Sequence, residues 1–403
     1  MDLATFHDLL TPSGQEILQA AMELQPQESD FLRHFTALSR RYAPDLARAA
    51  LEIAILRLEA LAKFPFASQM YFTRPALEQA SSFEVSAYRA RRFRSFEILV
   101  DLACSTGSDT FALAAYAPTL GIDLDPLRLA MARANLQALG IHEKTAFVQA
   151  DLTSPIPVSS ARHLGLFFDP ARRESGRRIF SVQEYHPRLG IVEDWLPRFP
   201  ALGVKISPGV NLAELGAYPA EIEFISLRGE MKEAVLWFGP FKTASRRATV
   251  LPGPHTLYAE APPSASRLAL SEPRDILYEP DASILRAGLV ESLGRQLDAV
   301  QLDPDIAYLT ADRFTPTPFA RAWEVEDWFP FGLKRLRSVL RQRGVGRVVV
   351  KKRSSPIRPE DLIRDLRLTG IGEPEQAERV IFLTHLRGRP IVILSKGEVK
   401  LGL

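Results

Sequence analysis

Phe96-Glu97-Ile98-Leu99-Val100-Asp101-Leu102 is an apolar run of strand length, and Ala103-Cys104-Ser105-Thr106-Gly107-Ser108-Asp109 follows it as a turn of small residues. A short apolar run, such a turn and then a helical stretch from Thr110 to Tyr116 read as one strand–turn–helix unit with a buried strand. Small side chains in the turn let backbone N–H groups and a helix N-terminus approach a ligand closely. Ala103, Ser105 and Gly107 form the cradle, although only Gly107 is a glycine. Asp101, at the C-terminal end of the strand, is placed to accept from an ammonium group.

Working outward, the same pattern recurs. Leu120-Gly121-Ile122-Asp123-Leu124 is followed by Asp125-Pro126, and Asp123 lies 22 residues after Asp101. A carboxylate about 20 residues downstream, at the end of the second strand, can bind both hydroxyls of a ribose. Asp125 reads instead as the N-cap of a helix that starts at Pro126 and continues from Leu127 to Leu139. Capping alone is the alternative account of both acids. The third strand, Thr145 to Gln149, ends at Ala150-Asp151-Leu152, where Asp151 is placed to accept from an adenine amino group. Leu124 and Leu152, each next to an acid, complete the expected cofactor set. Three carboxylates at three successive strand ends, on the crevice side of one sheet, describe a nucleoside pocket. A fourth strand, Leu164 to Phe168, runs into Asp169-Pro170-Ala171-Arg172-Arg173.

Strands that alternate with helices imply a parallel sheet covered on both faces. After the strand Gly203 to Ile206 the pattern changes. Glu221 to Leu227 and Ala234 to Phe238 are joined by Arg228 to Glu233, too short for a crossover helix, so they should form an antiparallel hairpin. An NAD-binding sheet would stay parallel, so the hairpin separates two folds that share a first half. Residues 1–90 read as helical, with a helix start at Thr11-Pro12 and an amphipathic helix from Leu46 to Leu61. Pro252, Pro254, Pro262 and Pro263 mark a strand pair and linker. Beyond Glu279-Pro280-Asp281, a helix from Ala282 to Leu297 opens a third part, with strands Gly346 to Lys351 and Ile391 to Leu394, a helix near Asp361 to Leu368, and the stretch Val380 to Thr384. The expected domains are 1–90, 91–270 and 271–403.

The 403 residues carry 46% hydrophobic and 24% charged side chains, the mix of a globular protein. The net charge of +2 hides an asymmetry. From Phe331 onward 17 Lys/Arg face 7 Asp/Glu, leaving about −8 for the rest. A basic end on an acidic remainder points to an anionic partner, with a solvated basic surface as the plain alternative. Lys351-Lys352-Arg353 closes a β-branched strand, and Lys334, Arg337 and Arg341 share a helix face. Trp323, Trp328, Phe329 and Phe331 precede them, either as stacking groups for looped RNA or as core. The single cysteine, Cys104, excludes an internal disulfide and fits a cytoplasmic setting. The N-terminus lacks the pattern of a signal peptide, no run of about 18 apolar residues crosses a membrane, and the seven histidines show no metal-ligand spacing.

Asp101-Leu-Ala-Cys-Ser-Thr-Gly107, Gly121-Ile-Asp-Leu-Asp-Pro126, Phe168-Asp-Pro-Ala-Arg-Arg173, Leu202-Gly-Val-Lys-Ile-Ser-Pro-Gly209 and Lys232-Glu-Ala-Val-Leu-Trp-Phe-Gly239 occur in that order. Tyr278-Glu-Pro-Asp281, Leu302 to Leu309, Phe331 to Lys334 and Gly346 to Arg353 follow. With these motifs the chain resembles the class I S-adenosylmethionine (SAM)-dependent methyltransferases of bacteria that carry a C-terminal THUMP-like domain. Its catalytic part is similar to the trimethylguanosine cap synthases. The resemblance implies an α/β fold: an N-terminal helical domain, a Rossmann-like methyltransferase domain whose parallel sheet is closed by an antiparallel hairpin, and a C-terminal α/β THUMP-like domain. It implies SAM as cofactor and RNA as partner, tRNA foremost, without metal or membrane. Amino-methyltransferases carry an Asp/Asn-Pro-Pro-aromatic tetrad after the fourth strand; Asp169 and Pro170 match it as catalytic residues, while Ala171 and Arg172 depart from it. Arg172, Arg173, Lys351, Lys352 and Arg353 are the expected substrate contacts. A base nitrogen is the expected target. A small-molecule or protein methyltransferase and a catalytically impaired binding protein are the alternatives, and a cysteine-nucleophile mechanism at carbon-5 of pyrimidines is disfavoured, because Cys104 lies in the cofactor turn instead of at this position.

Overall fold

The computed structural model describes residues 1–159, 163–171, 173–174, 177–178, 181–262, 268–368 and 377–399. The chain forms two compact units: Met1–Ile222 with Lys232–Thr243, and Glu223–Met231 with Ala244–Leu403.

In the first unit, β1 (Ile98–Leu102), β2 (Thr119–Asp123), β3 (Thr145–Gln149), β4 (Leu164–Phe168) and β7 (Leu202–Ile206) are parallel neighbours in the order β7-β4-β1-β2-β3. A two-residue ribbon, β5 (Arg173–Glu174) and β6 (Arg177–Arg178), separates β4 from β7 in sequence. β8 (Glu221–Leu227) and β9 (Glu230–Trp237) follow beyond β7 in the strand order β8-β9-β7, and β9 runs antiparallel to β7. This is the closing hairpin expected from the sequence, with a shorter turn. Arg228 (φ 52°) and Gly229 (φ 79°) both lie in the left-handed region, as a two-residue turn matching the strand twist requires. Glu230 to Glu233, expected as linker, therefore belong to β9.

The helix expected from Leu46 runs Pro44–Ala60, and the helix after β2 runs Pro126–Ala138. The two share a core: Leu18, Ala54 and Tyr71 pack with Met131, all fully or nearly fully buried. Asn135, 0% exposed, ties them to the small-residue turn. It accepts from Tyr71 N (2.6 Å) and donates to Tyr71 O (3.0 Å) and Thr106 O (2.9 Å).

In the second unit, β10 (Arg246–Leu251) and β11 (His255–Ala259) form an antiparallel pair. A seven-stranded sheet follows, built from β12 (Ile276–Pro280), β13 (Val300–Asp303), β14 (Ile306–Ala311), β15 (Ala320–Pro330), β16 (Val345–Lys352), β17 (Ala377–Leu386) and β18 (Arg389–Glu398). Its order is β13-β14-β12-β15-β18-β17-β16, and only β16 and β17 pair in parallel. Leu336 and Leu340 of helix Leu333–Gln342 and Leu362 and Leu366 of helix Pro359–Leu366 cover one part of it. The single helix expected from Ala282 to Leu297 is two, Ala282–Ala287 and Val290–Gln296, because Gly288 caps the first at φ 74°.

Candidate active site

β1, β2 and β3 end side by side, so their terminal residues converge without any sequence proximity. Asp101 is 1% exposed; its Oδ2 accepts from Thr110 Oγ1 at 2.6 Å, and its Oδ1 is a buried oxygen without a hydrogen-bond partner. Burial, then the nearby Asp109 and Asp169, push its carboxyl well above the usual aspartate range. An ammonium group brought close would relieve both the missing bond and the repulsion.

The turn keeps glycine geometry without glycine. Ala103 (φ 60°), Ser105 (φ 51°) and Gly107 (φ 83°) are all left-handed. An L side chain in that region costs roughly 1–2 kcal/mol. The turn is held regardless, because Ser105 N donates to Asp123 Oδ2, whose other oxygen is fixed by Asp125 N, both at 2.9 Å. Each Asp123 oxygen retains a second lone pair for a ribose hydroxyl. Asp125 caps the following helix through Leu127 N (2.9 Å) and Arg128 N (3.3 Å), as its place before Pro126 predicts. Asp151 is exposed and accepts from Thr153 N and Oγ1 at 2.8 and 2.7 Å, bonds that hold its carboxyl below the usual range. Leu124 stands out at 61% exposure, while Leu152 is buried.

A cavity of about 520 Å³ gathers Ala103, Ser105, Asp123, Leu124, Asp151, Leu152 and Asp169. That volume suits a nucleoside-sized ligand. Asp101 and Gly107 are not part of its wall, and Asp101 is buried. Asp109 is in the wall, and burial raises its carboxyl although Arg89 and Lys205 pull the other way.

Two groups were not legible in the sequence. Helix Arg74–Gln79 brings Ala76 and Gln79 into the cavity wall. Beneath it, Arg89 is a buried hub that pairs with Asp109 and Glu233 and lies 4.3 Å from the Phe167 ring centroid. Nothing in local spacing links residues 79, 89, 109 and 233; only the strand order does.

Asp169 follows β4 and is the wall residue whose carboxylate takes the Lys205 ammonium at 2.6 Å. Ala171 is fixed by an antiparallel bridge to His186, which also lines the cavity. Arg172 and the side chain of Arg173 lie outside the described residues. In the second unit, Lys351 pairs with Glu279 at 2.5 Å and lies over the Trp323 ring. Arg353 lies 3.7 Å from Glu279 and over Tyr308, and Lys352 is exposed. Trp323 and Phe329 are buried core residues. Among the described residues no cluster of three or more His, Cys, Asp or Glu could hold a metal, and no helix is long and apolar enough to cross a membrane.

A parallel sheet closed by a hairpin, with acids at successive strand ends around a nucleoside-sized cavity, defines a class I SAM-binding enzyme. Comparison with known proteins agrees. An uncharacterised SAM-dependent methyltransferase of Mycobacterium tuberculosis is 37% identical over 316 residues, 75% of this chain and 82% of the relative. The chain therefore belongs to the SAM-dependent methyltransferases, and SAM is its cofactor. The THUMP domain-like family matches residues 320–396, and a family described as a domain of unknown function matches residues 2–60. The trimethylguanosine synthase of Schizosaccharomyces pombe is 28% identical over 98 residues, 23% of this chain and 41% of that protein. A solved structure from Porphyromonas gingivalis, described as a candidate methyltransferase, matches with a TM-score of 0.74 over 94% of this chain and 98% of that one, at 21% identity. At that identity the likeness speaks to the fold.

Proposed function

We propose that this methyltransferase acts on RNA, with tRNA the first class to test, at a base nitrogen. The observation that carries the reading is Asp169. It ends β4 in the wall of the cavity that holds the cofactor acids, and Pro170 follows it. Bound SAM supplies an electrophilic methyl group on a sulfonium. The protein's part is then orientation, which supplies much of the rate of a direct displacement. Asp169 accepts an N–H of the target amino group and aims the nitrogen lone pair at the methyl carbon. Asp123 holds the ribose, Asp151 the adenine amino group, and Asp101 lies behind the end where an ammonium belongs. Methylation would leave the target nitrogen with a proton to lose, and the Asp169 carboxylate that accepts its N–H would hand that proton on to solvent.

The match of residues 320–396 to a THUMP-like family supports RNA as the partner. A second reading, a small-molecule acceptor, is favoured by one feature: Lys351 and Arg353 are engaged by Glu279 instead of facing outward as a pair of free cations. Mass spectrometry of nucleosides from a strain lacking the protein tests the proposal, with one methylated base expected to disappear. Filter binding of bulk tRNA at two salt concentrations decides between the readings. Affinity that is undetectable, or indifferent to salt, sinks the RNA reading. Asp169→Asn is expected to retain S-adenosylhomocysteine binding and lose transfer.

A further inference from the structure

β7 is buried along its whole length, and Leu202, Gly203, Val204 and Ile206 are what a strand inside a parallel sheet requires. Lys205 is not. Its side chain is 3% exposed, and its ammonium donates to Asp169 Oδ2 at 2.6 Å and to the Gln79 carbonyl at 3.1 Å. Burying such a pair costs so much desolvation that an apolar pair of equal volume would serve the sheet as well or better. Packing therefore does not explain the lysine. Its partners do point to a role, because Asp169 and Gln79 both line the cofactor cavity from different elements. Lys205 braces the end of β4 against the end of helix Arg74–Gln79.

We propose that Lys205 is a positioning residue for methyl transfer, which fixes the Asp169 carboxylate and restricts the acceptor to an uncharged amino group. This rests on the reading that Asp169 receives the target nitrogen. The Lys205 ammonium, 2.6 Å from Asp169, already neutralises that carboxylate, so a second cation such as a protonated lysine side chain or polyamine gains little from it. The exocyclic amino group of a base is neutral and still offers an N–H to the carboxylate. Lys205 forms no covalent bond during the step.

The test uses the full chain with tritiated SAM and two acceptors, bulk tRNA and polylysine. Wild type is expected to label tRNA and leave polylysine unlabelled. Lys205→Met should lower kcat at least tenfold while the Kd for S-adenosylhomocysteine, measured by calorimetry, stays within threefold. Lys205→Arg should recover part of the rate, and Lys205→Met/Asp169→Asn should be no slower than the slower single variant. A Lys205→Met enzyme within threefold of the wild-type rate overturns the proposal, as does a rate loss matched by an equal loss of S-adenosylhomocysteine affinity. If Lys205→Met does not fold, Lys205→Gln is judged by the same two limits. Wild type that labels polylysine but no RNA refutes the RNA reading and this proposal together. RNA labelling beside an undiminished Lys205 variant refutes this proposal alone.

Discussion

Replacing Arg89 by methionine should destabilise the first unit by about 4 kcal/mol, because removing one partner of a buried ion pair costs roughly 3–5 kcal/mol. The geometry argues for that range and not for the small effect of a surface pair. The Arg89 side chain is 2% exposed, Glu233 is 2% exposed, and the same guanidinium also serves Asp109. Methionine preserves the contact with the Phe167 ring but strands two buried carboxylates. For a unit of this size each kcal/mol lowers Tm by roughly 2–4 °C, so the melt should drop by about 8–16 °C at pH 7. The pH dependence supplies a second check. Burial opposes the charge on Glu233, yet Arg89, Lys205 and Ser81 together hold its carboxyl below the ordinary 4.5. In wild type that stabilisation is complete above the ordinary value and is lost as pH falls through the lowered folded one. Without Arg89, burial wins and the sign reverses: the variant should grow less stable as pH rises from 5 to 8. Thermal melts by circular dichroism across that range read both effects. Adding Asp109→Asn and Glu233→Gln should restore at least half of the loss. A variant that melts within 3 °C of wild type at pH 7 refutes the reasoning.

Three further outcomes are expected. Asn135→Ala removes three buried hydrogen bonds of about 1 kcal/mol each and should lower stability by roughly 2–4 kcal/mol in denaturant titration. Within the small-residue turn two substitutions should have opposite signs. Ser105→Gly relieves a left-handed side chain and should be neutral or stabilising by up to about 1 kcal/mol, since glycine's extra freedom when unfolded offsets part of the gain. Gly107→Ala should cost about 1–3 kcal/mol, because at φ 83° its Cβ would stand 2.9 Å from Leu136 Cδ2; matched melts of the two decide it. Asp101→Asn removes a carboxyl whose raised folded pKa weakens the free protein as pH rises through it. The variant should melt no lower than wild type at pH 8 and bind S-adenosylhomocysteine more weakly, with calorimetry measuring the second effect.

Most elements of the first unit, and the acids at their strand ends, are legible in the local sequence. Period and punctuation are local: an apolar run stopping at Asp101, Asp123 or Asp151, a proline opening a helix, a connection too short for a crossover. These signals placed the strands Thr145–Gln149 and Leu164–Phe168 and identified Asp125 as a cap, and motif order pointed to SAM. Local reading went astray where one residue's backbone overrode the pattern, at the Arg228-Gly229 turn and at the Gly288 cap. It also passed over β13, β14 and β15, whose burial depends on their neighbours in the sheet. Tertiary structure alone decided what surrounds the acids. Lys205 lies in an apolar strand and Arg89 in a helix far upstream, and neither shows its charge partner until β7 is laid beside β4 and helix Phe83–Ala90 reaches Asp109. The glycine-poor turn was likewise ambiguous as a sequence, because φ is a property of the folded backbone. The hydrogen bond from Ser105 to Asp123, 18 residues away, holds that turn in glycine's conformation.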